Sequence, residues 1–205
     1  MTDSVPIATS ALEMPGYRLL FPQGWTRFGV DEDSERDVLV RTRAKIKRMA
    51  RPDIDFALTA SIKSAFRQLR SIDALAMYLP VDVAEDSVIP MSITASRLLD
   101  PLGLPLDDRI TQVFRDFGGD FLGSDRKIVR WRRTIRNLDG LPGAINEQVN
   151  YAIPVAGTGR KLGLLLSASI IQDAQKTIDD ETLEAIIALS DSIVATFTWV
   201  TGREQ

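Results

Sequence analysis

Arg130, Arg132 and Arg136 occupy even positions of one segment, and Asn146, Gln148 and Asn150 occupy even positions of the next. Even spacing places side chains on one face of a strand, so the two segments together would display guanidinium forks beside carboxamides. An arginine fork donates two parallel hydrogen bonds to a carboxylate or phosphate, and an amide pairs with peptide backbone. The chemistry this arrangement offers is recognition. Ser92/Thr94/Ser96, Thr134 and Ser167/Ser169 extend the polar set. Met91/Ile93/Ala95, Val129/Trp131/Ile135, Ile145/Val149/Tyr151/Ile153 and Leu164/Leu166/Ala168/Ile170 form the alternate set. A sheet with one polar and one apolar face is therefore predicted. Arg133 and Glu147 interrupt the apolar set and are expected to pair on neighbouring strands. The plainer reading of the polar face is a solvated surface partly covered by a basic helical hairpin.

The remaining motifs read more readily as architecture. Gly157-Thr158-Gly159-Arg160-Lys161 has the look of a phosphate loop, but a second strand follows it where such a loop requires a helix, so it is predicted to be a hairpin turn. Asp107-Asp108 and Asp179-Asp180-Glu181 lie where helices begin, where acids satisfy free N–H groups. Arg41, Arg43, Lys45, Lys47 and Arg48 are balanced by the preceding Asp31, Glu32, Asp33 and Glu35, which favours a solvated helix over a phosphate site. Ser61-Ile62-Lys63-Ser64 misses the spacing of a serine–lysine nucleophile pair.

The 205 residues contain no cysteine and no histidine, which removes disulfides, thiolate nucleophiles, Cys/His metal sites and the usual general base near neutrality. Catalysis is disfavoured, and no metal or cofactor is expected. A net charge of -3 gives no global field toward nucleic acid or an anionic membrane. The opening residues lack a basic start and an apolar run, and no stretch reaches the ~18 apolar residues of a membrane span. The expectation is a cytoplasmic protein with no membrane insertion.

Residues 1–16 are expected to form a flexible arm, and 17–200 a single domain. Tyr17 to Phe21 reads as a strand ended by the Pro22-Gln23-Gly24 turn, with Trp25 to Val30 returning as its hairpin partner and Trp25 capping the core. Two helices follow. The first carries the stripe Val38, Thr42, Ile46 and Met49 and is broken at Pro52; the second has a wider face from Ile54 through Ala57, Leu58, Ser61, Ile62, Ala65 and Phe66 to Leu69. They make an inserted helical hairpin. Leu75–Val81 fits a buried strand or a helix, Glu85-Asp86-Ser87 an acidic turn, and Met91–Ser96 a half-buried strand. A helix with Ile110, Val113, Phe114 and Phe117 inward stops at Gly118-Gly119. Ile128–Arg136, Gly143–Ile153 and Lys161–Ile171 form an antiparallel meander. A closing helix follows, with a capping box from Thr177 to Asp180 and Leu183, Ile186, Ile187, Ser190, Ile193, Val194 and Phe197 inward. The fold class is α+β, a mainly antiparallel sheet with helices packed on it.

A strand ending in Pro22-Gln23-Gly24-Trp25, a meander whose first link holds Asp139, Gly140 and Pro142, and a last helix running to Phe197-Thr198-Trp199 resemble the Mog/PsbP-like α/β/α sandwich proteins. In particular they resemble uncharacterised actinobacterial members. The likeness spans roughly residues 17–200. It implies a non-catalytic role, since known members bind a nuclear GTPase or belong to a photosystem; the inserted hairpin and the lack of histidine keep either partner from being carried over.

The resulting expectation is a non-catalytic protein-binding or adaptor module of a larger assembly or secretion system, contacting an unknown protein partner through Arg130, Arg132, Arg136, Asn146, Gln148 and Asn150. The alternative is a small anionic-ligand binder or carboxylate-based enzyme using the same face, and a third reading is a structural homo-oligomer subunit.

Overall fold

The computed structural model describes residues 13–48, 55–81, 89–138 and 141–200, without the side chains of 45–48, 55–58, 137, 141 and 142. Most of the expected N-terminal arm, Met49, Pro52, Ile54, the Glu85-Asp86-Ser87 turn and the Asp139-Gly140 pair lie outside the described residues. Those residues form strands β1 (Tyr17–Arg18), β2 (Trp25–Phe28), β3 (Ala74–Pro80), β4 (Met91–Leu99), β5 (Asp120–Leu122), β6 (Ile128–Leu138), β7 (Leu141–Pro154), β8 (Leu162–Asp173) and β9 (Thr198–Trp199). The helices are α1 (Glu32–Arg48), α2 (Asp55–Ser71), α3 (Asp107–Phe117) and α4 (Asp180–Ala195). Seven strands make one antiparallel sheet in the order β2-β3-β4-β8-β7-β6-β5. The fold is α+β, as the alternating strands and the periodic helices require.

The apolar face carries the main core. Leu164, Leu166, Ala168 and Ile170 of β8, Val149, Tyr151 and Ile153 of β7 and Ile93 of β4 are almost wholly buried beneath Ile186, Ile187, Ile193 and Val194 of α4. Each such aliphatic side chain removed from water stabilises the fold by roughly 1.5–3 kcal/mol. On the other face α1 and α2 enter between β2 and β3 as the predicted hairpin. They bury Phe28, Val38 and Phe66 over that edge of the sheet. Near the opposite edge α3 packs Ile110, Val113 and Phe114 against Leu98, Val129 and Ala152. Phe117 was expected inward with them but is 42% exposed. Gly118 ends α3 in the left-handed region at φ 61°, which suits a residue without a Cβ.

Two local expectations are corrected. Trp25–Val30 does not return along Tyr17–Phe21: β2 pairs with β3, and β1 pairs with β9. Aromatic burial overrides the turn signal here. Phe21 stacks on Tyr78 at 4.5 Å and on Trp25 at 5.3 Å, while Tyr17 stacks on Phe197. The Tyr17 phenol is half-buried and accepts from Tyr78 OH, and its removal from water above all raises its pKa. The second correction is the α4 cap, which is Asp179 rather than Thr177. The Asp179 carboxylate accepts from Thr182 N at 2.9 Å, and that bond holds its pKa below the usual value.

The cap gives a prediction with a pH signature. Asp179→Ala should lower the urea midpoint at neutral pH, whereas Asp179→Asn should retain most of it, because asparagine caps about as well. A carboxyl with a depressed folded pKa contributes stability above its unfolded pKa and loses it as pH falls through the folded value. The difference between wild type and Asp179→Ala should therefore shrink in acid. A gap that stays constant down to the acid transition would show that the charge on Asp179 contributes nothing.

Candidate functional site

The register of β6 decides where the predicted side chains go. Arg130 lies opposite Tyr151, Arg132 opposite Val149 and Arg136 opposite Ile145, whereas Trp131 lies opposite Asn150, Arg133 opposite Gln148 and Ile135 opposite Asn146. Asn150, Gln148 and Asn146 lie in turn opposite Ser167, Ser169 and Ile171 of β8. The three amides and the serines do share a face, as expected. Arg130, Arg132, Thr134 and Arg136 are on the other one.

The two arginines bind helix α4. Arg130 Nε donates to Asp191 Oδ1 at 2.7 Å and Arg132 donates to Glu184 Oε1 at 2.7 Å. Tyr151 OH also donates to Asp191 Oδ1 at 2.8 Å, and lies 2.7 Å from Ser190 Oγ. Burial opposes the charge on Arg130, but the Asp191 carboxylate together with Tyr151 outweighs it, so its pKa is raised. Burial raises the Tyr151 pKa, with Asp191 adding to it. These contacts lock α4 to the sheet. The expectation that Arg130 and Arg132 face a partner beside the amides is thus corrected. Arg133 and Glu147 likewise do not pair, since they point to opposite faces: Thr134 donates to Glu147, and Arg133 lies over the Phe117 ring at 5.2 Å.

What sits above the amides is a groove. The α1–α2 hairpin stands over the β2–β3 side and α3 over the β6 side, leaving about 760 Å³ between them, floored by β4, β8, β7 and β6. Successive registers lay two rows across that floor. Trp131, Asn150, Ser167 and Thr94 form one; Arg133, Gln148, Ser169 and Ser92 form the next. In the first row Ser167 donates to Asn150 Oδ1 at 2.8 Å, and Asn150 donates across to Gln148 Oε1 of the second at 3.3 Å. Among the described residues Gln148 Nε2 and the Ser92 hydroxyl have no hydrogen-bond partner, and Arg133 has no acidic one. Beside this row Asn146 donates to Ser169 Oγ at 3.3 Å, while its Oδ1 is buried without a partner, although the residue is only 7% exposed. A buried acceptor left unpaired costs about 1–3 kcal/mol, so native folds seldom leave one so.

The lining includes Arg97, Arg109 and Arg133, and no described lining residue is Asp or Glu. Arg97 is paired with Asp73, and Arg109 donates to Leu99 O. Arg133 and Trp131 were set aside in the sequence as part of the apolar strand face. The groove's floor was legible; its cation was assigned to the wrong strand positions.

A second hollow, of about 1310 Å³, lies at the end of α4 between the β5–β6 and β7–β8 connections. Its charged groups are already matched: Lys127 with Asp125, Arg160 with Asp107, Asp191 with Arg130. The Gly157–Lys161 stretch at its rim is the β7–β8 turn, as predicted, with Gly157 and Gly159 at positive φ. No group of three or more acids, cysteines or histidines that could hold a metal ion occurs among the described residues. No described helix is long and apolar enough to cross a membrane.

No protein-family model matches the chain, and no curated protein matches it. Among solved structures a mutant form of the protein Mog1 is similar at 14% identity, over 61% of this chain and 79% of that one, with a TM-score of 0.36. That distance carries neither a role nor a partner across, and the Mog/PsbP-like likeness stays a resemblance of short motifs.

Proposed function

We propose that this chain is a non-catalytic binding module that receives a segment of a partner protein in the groove between α2 and α3. The observation that carries this reading is the groove floor, where the Gln148 carboxamide N–H pair, the Ser92 hydroxyl and the Arg133 guanidinium are left open among the described residues. A site built for chemistry by a carboxylate needs that carboxylate in the cleft, and none lies among the described lining residues. Donors laid out along a floor of strands suit the C=O groups of an extended peptide.

A photo-crosslinking amino acid placed at Gln68 on the α2 rim or at Gln112 on the α3 rim should capture a discrete protein adduct in cells. The same group at Lys161, in the β7–β8 turn, should not. Both rim residues line the groove, are exposed and tolerate bulk. Equal adducts at Lys161, or none at either rim, would remove the groove as the binding surface.

A further inference from the structure

Charge decides what kind of segment suits the groove, an inference that rests on the binding-module reading above. The chain as a whole carries a net charge of -3, yet the groove is lined by Arg97, Arg109 and Arg133 and by no described acid. Arg97 is neutralised by Asp73. Arg109 and Arg133 are not. Among the described residues Arg109 donates to the Leu99 carbonyl and Arg133 lies over the Phe117 ring, and neither meets a carboxylate. A cleft lined by one sign of charge between walls of low dielectric focuses its field on whatever enters it, whatever the charge of the whole chain.

The two acid-free guanidiniums belong to opposite ends of α3. Arg109 is in its first turn, and Phe117, its last residue, has the Arg133 guanidinium 5.2 Å from its ring. Eight residues of helix set these ends about 12 Å apart at 1.5 Å per residue. A phosphate or a single carboxylate meets one of them. An extended chain covers that distance in about four residues, and side chains four apart leave it on the same face. The floor suits the backbone of such a chain: Gln148 Nε2 and the Ser92 hydroxyl, in the same row as Arg133, are donors open to its carbonyls. A nucleic-acid strand would need a continuous basic track, whereas the described lining offers two arginines free of acids. We infer that the groove takes an internal acidic segment of its partner in extended form, with one Asp or Glu carboxylate on Arg133 and a second, about four residues away, on Arg109.

The probe is the blocked peptide acetyl-Glu-Val-Thr-Val-Glu-amide, whose β-branched centre favours an extended chain. Titrated into the ¹⁵N-labelled protein, it should shift the Gln148 side-chain amide signals saturably in the millimolar range expected of so short a ligand. Acetyl-Gln-Val-Thr-Val-Gln-amide has the same shape without the charge and should bind at least about tenfold more weakly. Each exposed ion pair contributes about three- to fivefold in affinity, so Arg133→Gln and Arg109→Gln should each lower the ratio between the two peptides by about that factor. Both arginines are exposed, so the variants fold, and their backbone spectra verify that. The inference is overturned if the two peptides bind alike, if either variant keeps the wild-type ratio, or if no saturable shift appears by about 50 mM. It is equally overturned if inorganic phosphate or single-stranded DNA binds as tightly as the Glu peptide, since the groove would then be a seat for a free anion or a nucleic acid. Rim crosslinks that persist after any of these results leave the groove as a binding surface and remove only the acidic assignment; loss of the crosslinks removes the binding reading itself.

Discussion

Phe66→Ala will destabilise the α1–α2 hairpin by about 3–5 kcal/mol, the usual cost of emptying a buried aromatic site. Phe66 is 1% exposed at the centre of a small cluster with Phe28 and Val38, against which Ile62, Met77, Leu79 and Val81 pack. That cluster is separate from the core under α4. The loss should therefore fall unevenly. Amide hydrogen exchange should accelerate throughout α1 and α2 while β7, β8 and α4 keep their protection, because regions held by few buried contacts open without the rest. Ligand binding in the groove should weaken in parallel, since α2 forms one wall. A uniform rise in exchange over all elements, or a loss of less than about 1 kcal/mol, would show that the hairpin is not an independent wall.

The second large effect concerns α4. Asp191 accepts from both Arg130 and Tyr151, and Tyr151 is completely buried. Asp191→Ala leaves a partly buried guanidinium without its acceptor and the Tyr151 phenol with Ser190 Oγ alone. Truncating one member of a buried charge pair costs about 3–5 kcal/mol, and a surface pair about 0–1. With side chains 24% and 27% exposed, this pair should fall between, at about 2 kcal/mol. Asp191→Asn, which keeps an acceptor but not the charge, should lose less. A double-mutant cycle with Arg130→Met separates the pair from the rest: the two losses should be clearly less than additive. Additive losses would mean that Arg130 and Asp191 stabilise α4 independently.

The sequence reveals the sheet wherever alternation is strict. In β4, β7 and β8 a run of small polar residues interleaves with bulky apolar ones, and both faces follow directly. In β6 the alternation is ambiguous, because Ile128 and Val129 are both buried, one against each core. Arg130 and Arg132 resemble solvent residues, yet their acids arrive from α4, 61 and 52 positions away. No local pattern announces such a partner. The pairing of β1 with β9 is hidden for the same reason, and β5 is three residues long, too short for periodicity to register. Phe117 shows the opposite error. Its spacing marks it as inward, while its ring serves as a platform for Arg133. The groove's open donors are not visible in sequence at all, since satisfaction is a property of neighbours in space.

The order of the strands also has a consequence for biosynthesis. β2, β3 and β4 form one meander and β5 through β8 another, and the two join only where β4 meets β8, Met91 against Ile170 and Leu99 against Leu162. A nascent chain completes β4 long before β8 leaves the ribosome, and at about 5–20 residues per second the wait is on the order of 4–15 s. During that time the β4 edge has unpaired N–H and C=O groups, and Met91, Ile93 and Ala95 have no α4 to cover them, since α4 is translated later still. An uncovered apolar edge is the kind of surface that pairs with other chains. Crowded polysomes and C-terminally truncated products are therefore where this protein is most exposed to aggregation, and a chaperone that holds the first half of the chain would matter more to its yield than one acting after release.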